Sequence, residues 1–222
     1  MTFGNLKPPQ HTIDRDKTCS LLKEGKYVQA LELAKSITEP WFRCQALAHV
    51  ARKTDDLRKR TELLKASFAA ANEQQEPNRI VSVSAWPLSV LADFGPTQEL
   101  DDQIQRLSTL MNSEPDPVRR SDGFLSLVFA LSNGPKNFII KLCDELMESS
   151  RNSKSWRCSR NLIEAGLLVK KYDKEKAKEM VSHIEKPIKR SNAVKKMESD
   201  QETDEEKGLH HSIDYRFGRI DK

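Results

Sequence analysis

The apolar side chains of YVQALELAKSI (Tyr27, Ala30, Leu31, Ala34 and Ile37) fall at i, i+3, i+4, i+7 and i+10, the spacing that gathers them on one face of an α-helix. Just upstream, Ile13, Cys19, Leu21 and Leu22 predict a partner helix, capped by Thr12 and ended by a left-handed Gly25. Downstream, Pro40 suits a first helical turn, where no N–H is needed. It opens a helix with a broad stripe of Trp41, Cys44, Ala46, Leu47, Val50 and Ala51. Lys53, Thr54 and Asp55 make a turn, and Leu57, Leu63, Leu64, Ala66, Phe68 and Ala71 mark the returning helix.

The same two-helix pattern continues. A third hairpin runs from Ile80 to Met111, turning at Gly95 and Pro96, and Pro87 inside it predicts a kink or short break near residues 85–88. A fourth pairs Val118–Leu131 with Phe138–Leu146 around Asn133, Gly134 and Pro135. A fifth pairs Trp156, Leu162, Ile163 and Leu167 with Ala177, Met180, Val181 and Ile184. Ile188, Ala193, Val194 and Met197 suffice for one capping helix. The helix starts repeat at Glu39, Glu76, Glu114, Lys154 and Glu185, spaced 37, 38, 40 and 31 residues apart, the range of helix-hairpin repeats. The expected fold is all-α, an α-α superhelix (solenoid) of about five antiparallel hairpins, with no sheet. Trp41, Leu47, Leu64, Trp86, Leu107, Leu125, Leu142 and Ile163 should lie buried between layers, since neither helix of a hairpin buries its face alone.

GKYVQALELAKSITEP resembles the second helix of a tetratricopeptide repeat, in which a Gly, a polar residue, a Tyr, an Ala three residues on and a Pro after the helix recur. Those places are held here by Gly25, Lys26, Tyr27, Ala30 and Pro40. A partial echo follows in KKYDKEKAKEM, with Tyr172 and Ala177 at altered spacing. Most hairpins run longer than the family's period of about 34 residues. The resemblance implies a tetratricopeptide-like helical repeat.

Composition favours a thin, elongated fold: 37% hydrophobic and 32% charged residues leave little apolar material for 222 residues. No run of about eighteen apolar residues offers a membrane span. The first residues lack the basic head and apolar core of a secretory signal, so the expected location is cytoplasmic. Residues 1–11, with Pro8 and Pro9, are expected to form a flexible arm. Residues 12–197 make the helical-repeat domain, and the acidic stretch 198–222 a disordered tail. Ile213, Tyr215, Phe217 and Ile220 return apolar character to its end and fit a docking peptide or an unstructured tail. The four scattered cysteines, without C-x-x-C spacing, are expected to be reduced packing residues.

Charge is uneven. Lys and Arg balance Asp and Glu over residues 1–153; residues 154–196 carry thirteen positive against five negative charges, and residues 197–222 four against eight. The basic segment, net +8, would attract an acidic protein, nucleic acid or an anionic surface, or be covered by the acidic stretch that follows. No phosphate loop, G-x-S-x-G or H-E-x-x-H motif occurs, and the histidines fall outside metal-ligand spacing. His49 is expected on the polar face of its helix, His11 in the arm and His210 and His211 in the tail. A non-enzymatic scaffold without cofactor or metal is expected, its partner another protein or peptide. The alternative is a regulatory or nucleic-acid-associated protein using residues 154–196. Arg43, Arg79, Arg120 (or Arg119), Arg157 and Arg190 stand near the starts of first helices. They would either clamp the carboxylates of an acidic peptide or bond internally to a neighbouring hairpin.

Overall fold

A computed structural model describes residues 8–199 and 201–220. Among them are twelve α-helices and no strand, so the chain is all-α, built of helices that pack on their neighbours in sequence. It divides into two compact units, residues 1–75 and 76–222.

The first unit holds α1 (Gln10–Lys23), α2 (Tyr27–Ser36), α3 (Pro40–Arg52) and α4 (Leu57–Asn72). Helix α1 begins before Thr12, with Pro9 at its N-cap. The arm expected over residues 1–11 is therefore helical at Gln10 and His11, while residues 1–7 lie outside the described residues. Pro suits this start because the first turn has no use for its N–H. Gly25 takes φ +72°, and Lys26 N–H reaches the Leu21 carbonyl at 2.9 Å, closing α1 as expected. Asp56 caps α4 by accepting from the N–H groups of Arg58 and Lys59. Ala30, Ala34, Cys44, Val50, Leu64 and Phe68 are buried in its core. Ala and Cys at this density let the helix backbones approach closely.

The second unit holds α5 (Pro77–Asp93), α6 (Gln98–Asn112), α7 (Pro117–Ala130), α8 (Lys136–Ser150), α9 (Trp156–Lys170), α10 (Lys174–Ser182), α11 (Pro187–Glu198) and α12 (Asp204–Arg216). Helix α7 packs on both α5 and α9, and α9 also meets α11. These first helices form one layer, backed by α6, α8 and α10. Helices in the middle of such a layer are covered on several sides, so their sequences should be apolar nearly all round. Accordingly, residues 123–130 of α7 and 165–170 of α9 are buried without interruption. Gly123 permits the close approach of α6 to α7: a Cβ there would lie 2.0 Å from Met111 Sδ.

Several expectations need correction. Helix α5 runs unbroken through Pro87, because packing on α7 holds a helix that local propensity alone would interrupt. Of the eight residues expected between layers, six are buried, whereas Trp41 and Ile163 are only half-buried. Trp156 is 62% exposed, its ring lying beneath the Arg160 guanidinium. Within the stretch 198–222, expected as a disordered tail, α12 occupies Asp204–Arg216, while residues 200, 221 and 222 lie outside the described residues. Its composition is too polar to fold alone, but Ile213 and Phe217 find buried sites on the repeat layer.

Candidate partner-binding surface

A recurring Pro-x-x-Arg places an arginine at the fourth helical position in PWFR, PVRR and PIKR. Arg43 Nη1 donates to the carbonyls of Ile37 and Thr38 at 3.1 and 3.0 Å, and Arg120 Nη1 donates to Glu114 at 2.9 Å. Arg60, at the same position of α4, donates to Thr54 at 3.0 and 2.6 Å. Each reaches a carbonyl six residues upstream, in the segment leading into its helix. Such carbonyls lack helix partners and otherwise need water. The signal was legible in the sequence as a fixed register relative to Pro, which a search for rows of charge passes over.

The other guanidinium contacts are ion pairs. Arg43 meets Glu73 at 2.5 Å, Arg119 meets Glu76 at 3.5 Å, and Arg157 meets Asp122. Asp122 also accepts from Asn161 Nδ2 at 2.8 Å, and that nitrogen donates to Ser121 Oγ at 3.0 Å. These bonds tie α7 to α9. Arg79 and Arg190 are exposed. Arg43, Arg120 and Arg157 are thus engaged within their own units.

The surface that carries a peptide-like segment is the first-helix layer of the second unit. Thr203 opens α12 with a capping box: its hydroxyl accepts from Glu206 N–H at 3.2 Å, and its own N–H donates to Glu206 Oε2 at 2.7 Å. The Glu206 carboxylate also receives Lys170 Nζ of α9 at 2.7 Å, with the two side chains only 5% and 7% exposed. Burial raises the Glu206 pKa, but the hydrogen bonds from Lys170 and Thr203 outweigh it and hold the carboxyl below its ordinary range. Alongside, Lys196 of α11 pairs with Glu205.

At its other end α12 closes with Gly218 at φ +69°. Gly218 N–H donates to Tyr215 at 3.1 Å and Arg219 N–H to Asp214 at 2.8 Å, the paired bonds of a Schellman ending. Phe217, fully buried, meets Trp86 of α5 edge-on with ring centroids 5.6 Å apart, and Arg216 lies 4.6 Å over the same indole. Arg219 Nε lies 3.1 and 3.0 Å from the two Asp93 oxygens. Its Nη1 donates to Ser132 Oγ at 2.7 Å and its Nη2 to the Ala130 carbonyl at 2.9 Å. The apolar residues of this segment, and the acids that can fold back on the basic stretch before it, are legible in the sequence. Nothing in linear order paired Arg219 with Asp93, 126 residues away.

Elsewhere, a cleft of about 370 Å³ is lined by Asp144, Glu145, Met147, Glu148, Arg151, Glu179 and His183. Its carboxylates are largely engaged: Lys176 bridges Asp144 and Glu179, and Arg151 pairs with Glu148. His49 is half-buried, with Arg52, Arg15 and Lys53 as charged neighbours. Burial, then Arg52, Arg15 and Lys53, push its pKa down to about 3. All four cysteines are free thiols, and Cys44, Cys143 and Cys158 are buried. Burial pushes the Cys44 and Cys143 thiols up to about 12. Among the described residues no cluster of three or more His, Cys, Asp or Glu is placed to hold a metal ion, and no helix is long and apolar enough to cross a membrane. Compared with known proteins, the chain matches no family model, no curated protein and no solved structure.

Proposed function

We propose that this chain is a non-enzymatic scaffold of the cytoplasm, a tetratricopeptide-like helical repeat that receives a segment of a partner protein on the first-helix layer of its second unit. The observation that carries this reading is residues 204–220 lying on that layer, anchored at Trp86, Asp93 and Lys170. Helical-repeat surfaces are suited to such a role because stacked hairpins present side chains from several helices to one ligand. The alternative, a regulatory or nucleic-acid-associated protein using residues 154–196, is supported by exposed Lys186 at the N-cap of α11 and exposed Arg190 and Lys195 on it. It is weakened by the engagement of Lys170 and Lys196 with acids of α12.

A peptide-display selection against the full chain carrying Phe217→Ala and Arg219→Ala tests the scaffold reading. Peptides should be enriched that lose binding when Trp86→Ala is added. A selection that yields none, or only peptides indifferent to Trp86, overturns it.

A further inference from the structure

We infer that the first-helix layer of the second unit carries a receptor for an aromatic-x-arginine segment, and that the chain's own residues 204–220 occupy it as a tethered, displaceable ligand. The inference rests on the scaffold reading and adds the chemistry of the partner and a means of regulation.

Three acceptors of different kinds converge on one guanidinium: the Asp93 carboxylate, the Ser132 hydroxyl and the Ala130 carbonyl. Asp93 spans Nε and Nη2, Nη2 also donates to the Ala130 carbonyl, and Nη1 donates to the Ser132 hydroxyl. An ammonium group has no rigid fork to match that spread, so the site selects arginine over lysine. The Arg219 side chain is 6% exposed and Asp93 16%, so the pairing is largely withdrawn from water. Two residues earlier, Phe217 fills the apolar side of the site against Trp86. Gly218 at φ +69° is what turns the chain so that both side chains address one face.

The segment is held as a ligand is held. Of the thirteen residues of α12, only Glu206 and Ile213 are buried, as few as in α2 and α11, whereas α5 buries ten and α7 nine. At the end nearer the tether, the anchor is the Lys170–Glu206 pair. A buried ion pair of this kind contributes little net stability compared with apolar packing, but it fixes register. A helix joined through the short connection 199–203 and attached by a polar latch, Ile213 and one aromatic-arginine anchor can leave without opening the hydrophobic core beneath it. Tethering gives it a high local concentration. An external segment of the same chemistry therefore competes poorly until the tether or latch is broken.

The test uses the full chain with a protease site inserted in the connection between α11 and α12, cut after folding. The probe is a fluorescent peptide of residues 204–220, read by anisotropy, with Arg219→Lys, Arg219→Ala and Phe217→Ala versions. Cut protein should bind the parent peptide at least about tenfold more tightly than uncut protein. Arg219→Lys should weaken binding about tenfold or more, and Asp93→Asn in the receptor should erase the preference for Arg over Lys. The uncut chain carrying Phe217→Ala and Arg219→Ala, its fold verified by circular dichroism, should bind the parent peptide as cut protein does.

Equal binding by cut and uncut forms overturns the tethered-ligand proposal, as does loss of helical signal from the rest of the unit when the segment departs. A dimer of uncut protein with exchanged segments overturns occupancy in cis. Peptides that need Trp86 but bind equally well without arginine overturn the proposed chemistry and leave the scaffold reading standing. Absence of any Trp86-dependent peptide overturns both.

Discussion

His49 stands beside three cations, Arg52, Arg15 and Lys53, and burial together with their repulsion favours its neutral imidazole. Its folded pKa, about 3, lies below the ordinary 6.5, so the unfolded chain takes up a proton first as pH falls. The stability due to the neutral form is complete above about 6.5 and declines toward pH 3, by at most about 1.4 kcal/mol per pH unit. Urea denaturation at pH 7 and pH 5 should therefore show a loss of up to about 2 kcal/mol that His49→Gln protein lacks. Gly123 gives a second test at this scale. A methyl group there meets Met111 Sδ, and Met111 is fully buried, so its side chain has to shift within the core. Gly123→Ala should cost about 1–3 kcal/mol in thermal or urea unfolding. Adding Met111→Ala should recover part of the steric cost, because the two substitutions act on one contact.

At the scale of the element, helix ends decide more than helix interiors. Asp116 accepts from the N–H groups of Val118 and Arg119 at 2.8 and 3.0 Å. Those bonds, the Arg119 one foremost, hold its carboxyl below the usual carboxylate range despite some desolvation. Asp116→Ala should destabilise the second unit by about 1 kcal/mol in urea titration. Gly218 matters differently, because its left-handed backbone aims Arg219 as well as ending α12. Gly218→Ala should cost about 1–2 kcal/mol of the docked state. Hydrogen exchange should then show faster amides in α12 while those of α7 remain protected. Uniform acceleration in both helices would mean that α12 and the layer below open as one unit.

At the scale of the molecule, charge separated along the sequence is brought together by folding. The basic segment and the acidic stretch after it meet at Lys170–Glu206 and Lys196–Glu205. Because the Glu206 pKa is depressed in the folded state, its contribution is fully present above the ordinary value near 4.5 and is lost as pH falls through the lower folded value. Protonation also leaves Lys170 buried without its counter-charge. Acidification below about pH 4.5 should therefore release α12 before the second unit unfolds, read as loss of the Trp86–Phe217 contact by tryptophan fluorescence. Glu206→Gln should show the released signal already at neutral pH. Unchanged docking in that variant would place the anchor at Phe217 and Arg219 alone.

Much of the architecture is local physics and therefore legible in the chain. Apolar spacing, Pro at helix starts, and Gly25 and Gly95 at turns set the succession of hairpins, because each acts within about one helical turn. Cys44, Leu47, Leu107 and Leu142 could be assigned to the core for the same reason. What depended on neighbours in space was not legible. Pro87 stays inside an unbroken helix because α7 packs against α5, and Trp156 stays exposed with the Arg160 guanidinium over its ring. The polar stretch after residue 198 becomes a helix only because Lys170, Trp86 and Asp93 offer it partners. Those residues lie 36 to 131 positions away from Glu206, Phe217 and Arg219. The sequence alone determined the hairpins, whereas tertiary structure decided which surface is occupied and by what, since a binding site is a relation between distant residues that no local pattern encodes.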